Sequence, residues 1–83
     1  MGMLKIGKTT KMGAEEVIRK AVDFFGPNGY KLEVKEQGEG RAYFQGGGGG
    51  IEVSTCAEDD KTSVDITSTE WDYQVKEFMR KLK

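Results

Sequence analysis

Histidine is absent from this 83-residue sequence, and cysteine, proline and tryptophan occur once each, at Cys56, Pro27 and Trp71. Without histidine the chain lacks the usual base for a serine or cysteine nucleophile and the commonest transition-metal ligand. General acid-base chemistry at neutral pH also leans on histidine, so the sequence predicts a non-enzymatic protein with no metal and no cofactor. A single cysteine excludes an internal disulfide framework and agrees with a reducing compartment. No window approaches the ~18 apolar residues of a membrane-spanning helix, and the N-terminus lacks the apolar stretch of a secretory signal. The expected location is the cytoplasm, with no membrane partner.

What is present describes a folded chain. Charged residues make up 33% of the sequence with both signs interspersed, and hydrophobic residues 36%, a balance that suits a globular domain rather than a disordered one. The length fits a single domain over 1–83 with modest stability, which self-association would raise, so a homo-oligomer is left open. The net charge of −1 conceals an asymmetry. Residues 1–13 carry only Lys5, Lys8 and Lys11, whereas 51–72 hold seven acids against Lys61 alone. Faces of opposite sign can orient a partner.

The hydrophobic period changes along the chain. Ala14, Val17, Ile18, Ala21, Val22 and Phe25 recur at helical spacing, with Glu15 and Glu16 in the first turn and Gly26-Pro27 as a stop. After Asn28-Gly29, Tyr30, Leu32 and Val34 alternate with Lys31, Glu33 and Lys35, predicting a half-buried strand. Gly38-Glu39-Gly40 turns the chain into a strand over 41–45, with Ala42 and Phe44 inward. Further strands are predicted where Ile51 and Val53, then Val64 and Ile66, alternate with polar residues across the acidic turn 58–61. Glu58, Asp59 and Asp60 lack calcium-loop spacing and read as that turn. Ser68 or Thr69 caps a second helix, in which Trp71, Val75, Phe78, Met79 and Leu82 form the apolar stripe.

The predicted class is α+β: a two-layer sandwich of about four antiparallel strands in a meander, with both helices on one face. The order is α-β-β-β-β-α, with residues 1–13 as an N-terminal arm or short edge strand. The opposite face stays open and displays Lys31, Lys35, Arg41, Tyr43, Gln45, Ser54, Cys56, Asp65 and Thr67.

Two glycine patterns invite a nucleotide-binding reading. Gly2 to Thr9 satisfies the P-loop spacing, but no strand precedes it and the predicted helix starts near Ala14, six residues beyond Lys8. Met1-Gly2 also has the look of a remnant before a native start at Met3. The run Gly46 to Gly50 offers unhindered amides, yet a strand follows where a dinucleotide fingerprint needs a helix, and Ile51 stands where a third spaced glycine would fall. Five consecutive glycines are costly to order. The run therefore reads as a flexible hairpin loop, either a bare connection or one that orders on a ligand or partner.

The stretch from Gly38 to Val53, Gly-Glu-Gly-Arg-Ala-Tyr-Phe-Gln-Gly-Gly-Gly-Gly-Gly-Ile-Glu-Val, together with the flanking helices, resembles a family of small uncharacterised proteins of methanogenic archaea. The resemblance spans nearly the whole chain and implies an archaeal, cytoplasmic origin. It brings no activity, substrate or cofactor.

The candidate site is thus Gly46, Gly47, Gly48, Gly49 and Gly50 with Arg41, Tyr43 and Gln45, in a small binding module for an unidentified protein or small molecule. Single-stranded RNA on the open face is the alternative, because Arg41, Lys31 and Lys35 flank Tyr43 there. One stacking aromatic and acidic neighbouring strands count against it.

Overall fold

The computed structural model describes residues 3–82. Met1-Gly2, with the first glycine of the P-loop pattern, and Lys83 lie outside the described residues. The class is α+β, with two helices and one five-stranded antiparallel sheet.

A strand opens the chain. β1 (Leu4–Thr10) precedes helix α1 (Ala14–Phe25), so the 1–13 segment holds a full strand and not a short one. Lys8 and Thr9 of the P-loop pattern lie within it. The remaining elements are β2 (Glu33–Gln37), β3 (Arg41–Gly46), β4 (Gly49–Glu58), β5 (Lys61–Thr69) and α2 (Asp72–Lys81). β2 to β5 run as consecutive hairpins, and β1 returns beside β5 to give the order β1-β5-β4-β3-β2.

Helix α1 forms where its apolar spacing predicts it, burying Val17, Ile18, Ala21 and Phe25. One hydrophobic cluster joins these to Val75, Phe78 and Met79 of α2 and to Ala42, Phe44, Ile51, Val53, Val64 and Ile66 of the sheet. Phe25 sits at its centre, its ring 5.5 Å from that of Phe44 and 5.2 Å from that of Phe78. The alternate strand residues Tyr43, Gln45, Glu52, Ser54, Asp65 and Thr67 are exposed or half-buried.

Two boundaries differ from expectation. Tyr30 was expected inward on a strand, but it lies in a turn, 39% exposed, and β2 begins only at Glu33. The amides of Tyr30, Lys31 and Leu32 donate to the carbonyls of Phe24, Gly26 and Phe25. Those carbonyls at the end of α1 lack helical partners, and satisfying them delays the strand. At α2, neither Ser68 nor Thr69 is the cap: both belong to β5, and Trp71 occupies the N-cap position with no side-chain cap bond. Ser68 pairs with Leu4 and Ile51, and Thr69 with Gly50, so ladder pairing overrides the local cap signal. The buried Ser68 hydroxyl instead donates to Asp72 Oδ1 at 3.2 Å.

The far end of α2 is tied to β1. Lys8 Nζ donates to the carbonyls of Met79 at 2.7 Å and Leu82 at 2.6 Å, placing a cation on the negative end of the helix dipole.

Candidate functional site

The glycine run resolves into three local structures. Gly46 ends β3, Gly49 and Gly50 start β4, and only Gly47 and Gly48 form the turn. Gly46 pairs with Gly49 and Gln45 with Gly50, which fixes a two-residue hairpin. Such a hairpin needs positive φ at both central positions to follow the strand twist, and Gly47 (+59°) and Gly48 (+83°) supply it. The expected five-residue flexible loop is therefore a two-residue turn with paired flanks. Gly46, Gly49 and Gly50 thus fill ladder positions that a five-residue loop would leave unpaired.

Packing requires two of these glycines as well. A Cβ at Gly49 would drive into the carbonyl of Thr69 and come within 2.7 Å of Glu70 Cβ. A Cβ at Gly47 would lie 3.0 Å from Trp71 Cζ2. The indole lies against the turn, and its Nε1 donates to the Gly46 carbonyl at 2.9 Å. Tyr30 backs Trp71, with ring centroids 6.0 Å apart. Tyr30 Oη in turn donates to Glu77 Oε1 at 3.0 Å, and this hydrogen bond, followed by desolvation and the Glu77 charge, raises the Tyr30 pKa above its ordinary value.

On the other side of the hairpin, the open sheet face is hollowed. Gly50 has no side chain there, and Tyr43 leans diagonally across it, so that a Cβ at Gly50 would be 3.0 Å from Tyr43 Oη. The result is an open basin of about 510 Å³. Gly46, Gly48, Gly49 and Gly50 form its floor, Tyr43, Gln45, Glu52, Thr67 and Thr69 its walls, and Met3 closes one end.

Of the residues singled out from sequence, Tyr43, Gln45, Gly46, Gly48, Gly49 and Gly50 meet at the basin. Gly47 turns toward Trp71, away from it. Arg41 stands outside the lining and donates from Nη2 to Glu52 Oε2 at 2.7 Å, with both side chains well exposed. Lys35 pairs with Glu33 at 3.5 Å, and Lys31 lies in the turn before β2 at φ +69°. Glu52, Thr67, Thr69 and Met3 line the basin without belonging to the site expected from sequence. Glu52 is legible, since it alternates with Ile51 and Val53, and Thr67 lies on the expected open face; Thr69 carries a helix-cap signal, and Met3 no signal of its own.

Cys56 is exposed on β4, six residues beyond Gly50 and therefore about 20 Å along the strand from the basin. Among the described residues no cluster of three or more acidic or cysteine side chains is placed to hold a metal ion. Among the described residues no helix is long and apolar enough to cross a membrane. No family model, curated protein or solved structure matches this chain.

Proposed function

We propose that the chain is a small non-enzymatic binding module, and that its ligand or partner is held in the basin beside the glycine hairpin. The observation that supports this is the convergence of an aromatic side chain, one carboxylate, an amide and two hydroxyls around a floor without side chains. Binding sites combine apolar surface with a few converging polar groups, and the glycines let a ligand approach the backbone closely. The reading keeps Tyr43, Gln45 and the glycines as contact residues and adds Glu52, Thr67 and Thr69. The likeness to the methanogen proteins belongs to the same proposal and adds no activity to it.

The RNA alternative loses ground on one observation: the Glu52 carboxylate stands 2.7 Å from Arg41, its central cation, and Asp65 is exposed on the same face. A phosphate backbone would meet two carboxylates there.

A fragment screen read by amide chemical shifts on the full chain tests the proposal. Hits should cluster on Tyr43, Gln45, Gly48, Gly50 and Glu52. Hits confined to the groove between α1 and α2 at Phe24 and Phe78, a hollow of about 250 Å³, would overturn it.

A further inference from the structure

We infer that the basin takes a basic side chain, arginine or lysine, presented by a protein partner; this deepens the proposed binding role and rests on it. The hydrogen-bonding inventory of the walls carries the inference. Among the described residues Glu52 is the only charged one lining the basin, and it can only accept hydrogen bonds. Gln45, Thr67, Thr69 and Tyr43 can each accept as well as donate, and among the described residues no lysine, arginine or tryptophan, whose side chains only donate, lines the site. One acceptor-only carboxylate among groups that can turn an oxygen toward a ligand complements a group that only donates, and ammonium and guanidinium are such groups. Tyr43 and Met3 supply apolar surface along which the aliphatic stem of a long basic side chain packs.

The shape favours a side chain over a free amine. A small molecule is held when 70 to 90% of its surface is enclosed, whereas this basin opens onto the sheet face. An occupant here needs anchoring from outside, which a partner's backbone resting on the face provides. Glu52 is available for the exchange. Its bond to Arg41 joins two exposed side chains, and such pairs are weak and readily replaced.

The test is a titration of the ¹⁵N-labelled full chain with acetylated, amidated pentapeptides, Gly-Gly-X-Gly-Gly, where X is arginine, lysine, norleucine or glutamate. The arginine and lysine peptides should shift the amides of Tyr43, Gly48, Gly50 and Thr67. The norleucine peptide should bind about tenfold more weakly and the glutamate peptide not at all. Glu52→Gln should weaken the arginine peptide about tenfold, and Arg41→Ala, which releases the carboxylate, should strengthen it. Added salt should weaken it too. Equal binding of norleucine and arginine, or no change in Glu52→Gln, would overturn the basic class while leaving the basin as a binding place. If no peptide moves these amides, the inference falls, and the fragment screen alone then decides the basin reading.

Discussion

At the residue scale, the five consecutive glycines are not equivalent. Gly48 is held by its backbone angle with open space around it, whereas Gly49 has the Thr69 carbonyl where a Cβ would go. Gly49→Ala should therefore cost about 2 to 3 kcal/mol, since strands β4 and β5 must separate to admit it. Gly48→Asn should cost less than about 1 kcal/mol, because asparagine tolerates the left-handed region. Urea denaturation of the two variants gives the order directly, and equal costs would mean that the turn, not the packing, sets the requirement. Tyr30 has a different dependence. Its pKa is raised above 10.0 in the folded chain by the Glu77 hydrogen bond, so the protonated phenol contributes stability at neutral pH, and that contribution is lost as pH rises through the folded value. Alkaline unfolding should accordingly shift in Tyr30→Phe, and the ¹³Cζ titration of Tyr30 should move back toward 10.0 in Glu77→Gln. An unchanged titration would remove Glu77 as the cause.

At the scale of elements, helices and strand faces were legible because each is written in a short-range period. Val17, Ile18, Ala21 and Phe25 repeat at helical spacing whatever surrounds them, and Ile51 and Val53 alternate with Glu52 in the same way. Boundaries were less legible. Ser68 and Thr69 carry a helix-cap signal but sit in β5, because pairing with β1 and β4 uses their backbone groups. Nothing near Lys8 in sequence shows that it closes α2, seventy-one residues away at Met79. Lys8→Met keeps the stem and removes both hydrogen bonds, and it should cost about 1.5 to 3 kcal/mol. The loss should be accompanied by faster amide exchange in the last turn of α2, and a global loss without that local change would assign the effect to β1 alone.

At the scale of the whole molecule, one cluster holds the helices to the sheet, and Phe25 is fully buried at its centre. Phe25→Ala should cost about 3 to 5 kcal/mol by the cavity it leaves. For a domain of this size that is much of the total stability. Calorimetry should show a melting transition strongly lowered or lost, and a shift of only a few degrees would mean that the cluster collapses around the gap. By itself the sequence determined the class, the buried faces of both helices and of the strand pairs Ala42/Phe44, Ile51/Val53 and Val64/Ile66, and the hairpin that joins Tyr43 and Gln45 to the glycines. These follow from periods of two and 3.6, which local backbone geometry enforces. The tertiary structure alone decided that three of five glycines join the ladder, that Trp71 supports the turn, that Arg41 pairs with Glu52, and that Glu52, Thr67 and Thr69 complete the basin. Those facts depend on cross-strand register and on contacts between distant residues, which no local period encodes.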